Sequence, residues 1–232
     1  MLTERKSGDT LIIRGTPFKD EVNNMNIDRG VRNLFIETGD VSEIDFTNID
    51  GKNIETLHIY GRSTDDELLL SLNGIDRWGI RNLMMSNISG CISWSPLKKC
   101  INLSDLLITK HGKSPIIINA PIRHLTIQSA STDEIYVISK HISDILIRNT
   151  RMSTFDLHGI SLSPVLCNIS LIDSDISSID LSPLKNRCTI RHINISGSHI
   201  SEIDLSPLNG ISPLEIVLDH NDIACLDINS LR

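Results

Sequence analysis

An apolar-x-apolar triplet returns down the whole chain, and a chain patterned this way has few ways to fold other than by winding on itself. The triplets stand at Leu11/Ile13, Leu34/Ile36, Leu57/Ile59, Leu83/Met85, Leu106/Ile108, Leu125/Ile127, Ile145/Ile147, Ile169/Leu171, Ile193/Ile195 and Ile216/Leu218. Successive starts lie 23, 23, 26, 23, 19, 20, 24, 24 and 23 residues apart. From the second triplet onward a further apolar anchor follows after about ten residues: Ile44, Leu68, Ile92, Ile116, Ile135, Phe155, Ile179, Ile203 and Leu226.

Alternation of period two inside each triplet marks a short strand with one buried face. No such strand is stable alone, so the turns must stack, with neighbouring strands about 4.8 Å apart in a parallel sheet. Ten turns predict a rod on the order of 50 Å long, held by contacts between adjacent repeats. The composition suits this: 40% of the residues are hydrophobic but only 3% aromatic, so many similar aliphatic side chains build the core. The expectation is a single solenoid domain over residues 1–232, about ten repeats of 19–26 residues, with residues 1–31 a degenerate first repeat or N-terminal cap.

Toward the C-terminus the pattern is specific enough to name. In the segment 190–205, Ile190, Ile193, Ile195, Ser198 and Ile200 fall on the L-x-x-L-x-L-x-x-N-x-L positions, and the last repeat supplies Asn221 with Ile223 after it. Ile179-Asp180-Leu181-Ser182-Pro183-Leu184 and Ile203-Asp204-Leu205-Ser206-Pro207-Leu208 follow, echoed by Ile92-Ser93-Trp94-Ser95-Pro96-Leu97. The chain resembles leucine-rich repeat proteins, and the "IDLSPL" continuation is similar to archaeal-type members. That resemblance implies a right-handed β/3₁₀ superhelix with its parallel sheet on the concave face, used to bind protein. A right-handed parallel β-helix is the alternative, strongest over residues 106–145.

Three local expectations follow. Ser95, Ser182 and Ser206 should cap short helical turns begun by Pro96, Pro183 and Pro207. The 19- and 20-residue repeats leave no room for that turn, so their convex side should be extended and the solenoid locally flatter. At the asparagine position the repeats read Thr16, Gly39, Arg62, Ile88, His111, Ala130, Thr150, Ser174, Ser198 and Asn221. An asparagine ladder is mostly absent, and at Ile88 and Ala130 water or altered turn geometry must satisfy the backbone.

Outward strand positions decide what a partner would meet. The candidate concave binding surface comprises Arg32, Phe35, His58, Tyr60, Arg81, Met84, Leu107, Arg123, His124, Leu146, Arg148, Arg191 and His192. Arginine recurs just before the strand at Arg32, Arg81, Arg123 and Arg191, among apolar Phe35, Met84, Leu107 and Leu146. Arginine with apolar anchors amid mixed charge is the composition of a protein interface.

Other classes fit less well. A net charge of −7 argues against nucleic acid. No apolar run reaches membrane-spanning length and the N-terminus lacks a signal-like segment, which predicts a cytoplasmic protein. Five cysteines, an odd number without a C-x-x-C pair, read as small buried hydrophobes of a reducing compartment. His58, His124 and His192 stand three repeats apart, too far to share a metal, and no phosphate loop, nucleophile elbow or H-E-x-x-H occurs. The acid pairs Asp65-Asp66 and Asp173/Asp175 read as solvated carboxylates, and the insertion 62–67 as a solvated turn.

The expectation is therefore a non-catalytic scaffold for an unknown protein or peptide, with no cofactor, no metal, no nucleic acid and no membrane. A β-helix carbohydrate-active enzyme and a self-assembling structural protein are the alternatives. Homo-oligomers could form through uncapped ends: a polar run at 19–24 is the candidate N-terminal cap, and the C-terminal end is expected frayed or covered by another molecule.

Overall fold

Each apolar triplet becomes one rung of a long parallel sheet. The structure, a computed structural model, describes residues 3–15, 27–38, 43–61, 69–132, 134–212, 214–228 and 231. The rungs are β2 (Thr10–Gly15), β3 (Asn33–Thr38), β5 (Thr56–Gly61), β7 (Asn82–Ser86), β9 (Asp105–Thr109), β11 (His124–Gln128), β13 (Asp144–Arg148), β14 (Asn168–Ile172), β15 (His192–Asn194) and β16 (Glu215–Val217). All ten pair in parallel, each with the next. Register is kept throughout: Leu11 faces Leu34, then Leu57, Leu83, Leu106, Leu125, Ile145, Ile169, Ile193 and Ile216. A one-residue slip would turn every such column outward, so burial of one face fixes it.

The sheet opens on a strand that does not belong to the winding. β1 (Thr3–Ser7) runs antiparallel to β2 as a hairpin turned at Gly8, whose φ is 61°. The expected polar cap at 19–24 lies outside the described residues, whereas this hairpin was not foreseen. At the other end, among the described residues, Ile216 and Leu218 are half-buried, and Leu226 and Ile228 are 38% and 62% exposed.

The back wall varies. Short parallel pairs join β4 (Glu43–Ile44), β6 (Leu69–Ser71) and β8 (Ile92–Ser93), and separately β10 (Ile116–Asn119) and β12 (Ile135–Ile138). Elsewhere it is made of 3₁₀ turns at Ile75–Arg77, Ser95–Lys99, Ser182–Leu184 and Ser206–Leu208, and an α-helical turn at His158–Ser161. The short repeats are extended at the back, as the spacing predicts. Between front and back lies one continuous aliphatic core, in which Phe46 and Trp78 meet edge to face at 5.4 Å in the wider early repeats.

Four anchor expectations, at Ile92, Ile179, Ile203 and Leu226, are corrected. Register puts Leu70 opposite Ile44 and Ile92, so Leu70 is the third-repeat anchor; Leu68 lies outside the described residues. Ile92, Ile179 and Ile203 are only partly buried, and the residues two further on, Trp94, Leu181 and Leu205, fill the core instead. Leu226 is exposed. A strand buries alternate residues, whereas the Ser-Pro turns bring two leucines inward, at 181 and 184 or 205 and 208, and displace the preceding isoleucine toward the rim.

The serines do not cap these turns. Ser182 and Ser206 are the first turn residues, and the cap comes from the aspartate two positions earlier. Asp180 accepts the Ser182 N–H at 2.8 Å and its hydroxyl at 2.9 Å, and Asp204 does the same for Ser206. Asp156 likewise accepts the His158 N–H at 2.9 Å. These N–H donors hold the Asp156, Asp180 and Asp204 carboxyls below the usual carboxylate range, since they bind the ionised form better. Aspartate two residues ahead of a turn is well placed for this Asx arrangement.

Candidate functional site

The outward face of the long sheet is built from columns of equivalent rung positions. Its central column reads Ile12, Phe35, His58, Met84, Leu107, Thr126, Leu146, Ser170, Asn194 and Val217. All are partly buried by their neighbours. Phe35 meets the His58 ring edge-on at 5.4 Å, and His58 Nε2 lies 3.2 Å from the Ser86 hydroxyl. Burial lowers the His58 pKa, favouring the neutral ring. From Ile12 to Leu146 the column is therefore a largely apolar stripe.

Polar columns flank it. At the strand-opening position Asn82 donates to the Thr56 hydroxyl at 3.3 Å, and His124 stands between Asp105 and Asp144, at 2.8 and 3.5 Å. Asn168 donates onto Asp144, which also accepts the Ser143 hydroxyl at 2.5 Å. His192 pairs with Glu215 at 3.1 Å. Tyr60 and Arg148 lie in the column on the other side of the stripe, where Arg14 meets Glu37 at 2.8 Å.

One position ahead of the strands sit the four arginines, all exposed. Their backbones interlock the rungs: the Arg81 carbonyl accepts the N–H groups of Ser104 and Asp105 at 2.9 and 3.0 Å, and the Arg123 carbonyl those of Ser143 and Asp144 at 2.8 and 3.1 Å. Arg32 is ion-paired with Glu55, and Arg191 donates to the Cys188 and Ile190 carbonyls. Nine of the thirteen candidate residues thus fall by register in three outward columns, and the four arginines stand just ahead of the strands. Two of the arginines expected to await a partner are already engaged within the chain.

The rim beyond the strands carries a feature that the spacing did not disclose. Asn87, Lys110, Ser129, Asn149, Asp173, Gly197 and His220 all have φ between 50° and 64°, one per turn. Each falls directly after the fifth rung position and turns the next residue inward. Its N–H still continues the ladder, as from Lys110 to the Gln128 carbonyl at 2.8 Å. The inward residue that follows is the asparagine position. Ile88, His111, Ala130, Thr150, Ser174 and Ser198 are all buried there.

Backbone bonds link these turns whether or not the side chain can bond. The carbonyls of Ile88, His111, Ala130 and Thr150 accept the N–H groups of Gly112, Ser131, Arg151 and Asp175 from the following turn, at 3.0, 3.0, 3.1 and 3.4 Å. The turns at Ile88 and Ala130 share the left-handed residue and the backbone bond of those at His111 and Thr150. Asn221 plays the asparagine part in full, donating to the Ile195 and Leu218 carbonyls and accepting the Ile200 N–H. Thr16, Gly39 and Arg62 lie outside the described residues.

His111 is the unusual member of this column. Its Nε2 lies 2.9 Å from the Ser114 carbonyl, and its ring meets Trp94 edge-on at 6.2 Å. Burial lowers its pKa. Burial also pushes the Cys100 thiol up to about 12, which leaves it unreactive; all five cysteines are free, but Cys91, Cys188 and Cys225 are exposed rather than buried as the sequence suggested.

Sequence reasoning missed an apolar patch on the back of the short repeats, where Ile117, Tyr136 and Ile138 are 50%, 49% and 46% exposed. Alternation in Ile135-Tyr136-Val137-Ile138 was the available signal. Asp173 and Asp175 are exposed, in keeping with solvated carboxylates; Asp65, Asp66 and the insertion 62–67 lie outside the described residues. Among the described residues no three of His, Cys, Asp and Glu converge as a metal would need, and no helix is long and apolar enough to cross a membrane.

No family model matches the chain, and no curated protein matches it. Among solved structures, an internalin from Listeria monocytogenes str. 4b F2365 is 14% identical over 87% of this chain and 64% of that one, with a TM-score of 0.47. A chain of the TLR13–ssRNA13 complex is 12% identical over 87% of this chain and 41% of that one, with a TM-score of 0.41. A chain of the octameric complex of latrophilin 3, Unc5D and FLRT2 (LRR) is 12% identical over 96% of this chain and 85% of that one, with a TM-score of 0.42. This chain therefore spans less than two thirds of the internalin chain it matches. The register of its own rungs shows what it is: a β-solenoid of stacked repeats with a continuous parallel sheet along its front.

Proposed function

We propose that the protein is a non-catalytic scaffold that binds a protein or peptide across the outward face of the long sheet. The observation that carries this reading is the central stripe, in which Phe35, Met84, Leu107 and Leu146 lie in register between polar columns. An apolar centre with a polar rim is the anatomy of a protein-binding patch. The leucine-rich repeat likeness of the 166–232 region supports it from the sequence side, and its "IDLSPL" form points to the archaeal type. Free thiols, including exposed Cys91, Cys188 and Cys225, suit a reducing, cytoplasmic setting.

The test is affinity capture with wild type, a front variant (Phe35→Ser, Leu107→Ser, Leu146→Ser) and a back variant (Ile117→Ser, Tyr136→Ser). A partner retained by the back variant and lost by a folded front variant is the expected result. Equal retention by both would remove this reading.

A further inference from the structure

The four strand-leading arginines are not equivalent. Arg32 is neutralised by Glu55 and Arg191 is turned onto backbone carbonyls, whereas Arg81 and Arg123 have neither an ion pair nor a side-chain hydrogen bond among the described residues. They stand two rungs apart, about 10 Å between backbones. Ser104 occupies the rung between, bonded to both through the ladder at 2.9 and 2.8 Å. A serine is far shorter than the side chains on either side of it, so the surface falls away there. The resulting cleft, of about 460 Å³, is lined by Arg81, Asn102, Ser104, Pro121, Arg123 and His141 among others.

The acids nearest in the fold are committed elsewhere: Glu55, on the rung directly before Arg81, is ion-paired with Arg32. Asp105 and Asp144 follow Ser104 and Ser143 directly, where they could have met the arginines, but they clasp His124 between them. Asp144 is further held by Ser143 and Asn168. In a chain of net charge −7, two guanidinium groups are thus left facing one cleft without an internal counter-ion. Guanidinium forks match the planar oxygens of carboxylate and phosphate, and a hydroxyl and an amide nearby supply further donors.

We infer that this cleft holds an oxyanion carried on a peptide side chain, with Arg81 and Arg123 as its paired ligands and Ser104, Asn102 and His141 around them. The inference deepens the scaffold reading and rests on it: the apolar stripe supplies contact area, and the cleft beside it reads one acidic or phosphorylated residue of the partner.

The test titrates three pentapeptides, Gly-Gly-X-Gly-Gly with X phosphoserine, glutamate or serine, into the full chain at low salt, followed by NMR shift changes. It compares wild type, the double variant Arg81→Gln/Arg123→Gln, and Lys185→Gln, an exposed charge far from the cleft. Wild type and Lys185→Gln should bind one charged peptide about tenfold or more tightly than the serine peptide, and the double variant should lose that preference. Whichever of phosphoserine and glutamate is preferred identifies the source of the oxyanion. No preference in wild type, or a preference that survives in the double variant, overturns the inference. Because both arginines are exposed, thermal melts of the double variant should match wild type. Capture by the front variant, which keeps both arginines, tests the scaffold reading separately.

Discussion

Between Leu106 and Ile145 the chain closes its turns in 19 and 20 residues, whereas the C-terminal repeats take 24, 24 and 23, yet the front rungs keep one register across both regions. The difference falls entirely on the back wall. In the short repeats β10 and β12 span it as strands, with Ile116, Ile118, Ile135 and Val137 buried. In the long ones an aspartate-capped Ser-Pro turn spans it, with Leu181, Leu184, Leu205 and Leu208 buried. An extended residue advances about 3.3 Å and a 3₁₀ residue about 2 Å, so a helical wall needs more chain to cover the same distance. The front is therefore the invariant part, set by ladder hydrogen bonds, and the back is an exchangeable part set by repeat length and turn chemistry.

The largest expected effect tests the shared front. Ile127→Asp in the short region and Ile193→Asp in the long region should each cost at least about 4 kcal/mol, since both bury an unpaired carboxylate in the same kind of column. Urea melts in which one is tolerated would break the equivalence of the two regions. Ile216→Asp, in the half-buried last rung, should cost clearly less.

The next effect separates the back walls. Ile116→Pro removes from strand β10 an N–H that the Glu134 carbonyl accepts at 2.8 Å, together with a buried side chain, and should cost at least about 3 kcal/mol. Pro183→Ala, at a turn position already preset for proline, should cost less than about 1 kcal/mol. Thermal melts giving the reverse order would show that turn chemistry does not distinguish the regions.

The smallest effect concerns pH. His111, at the start of the short region, has its folded pKa lowered by burial below the ordinary 6.5. The unfolded chain therefore takes up this proton first as the pH falls. Its contribution to stability is complete above 6.5 and declines as pH drops below that value toward the lower folded pKa. His111→Thr, which installs the residue found at Thr150 in the same column, should flatten that decline, as read from unfolding curves at pH 7 and 5. His58, also lowered by burial, accounts for a share that His111→Thr leaves in place.

Much of this was legible in the residues. The triplet columns and the extended back of the 19- and 20-residue repeats follow from spacing. What escaped was chemistry at short range across rungs. Serine beside proline suggested a serine cap, but Asp180 and Asp204 reach the free N–H groups better. Arg32 and Arg81 look alike in sequence; one meets Glu55 on the next rung and the other meets Ser104. The left-handed residues at Lys110, Ser129 and His220 carried no glycine or asparagine to announce them.

The sequence by itself determined the number of rungs, their register and which face each front-rung residue takes, because burial of an alternating pattern admits one solution. Only the tertiary structure decided which charges are satisfied, which back-wall residues fill the core, and that a hairpin strand pairs with the first rung. Residues about 4.8 Å apart across the rungs are separated by 19–26 positions along the chain, so no local pattern reveals which of them meet.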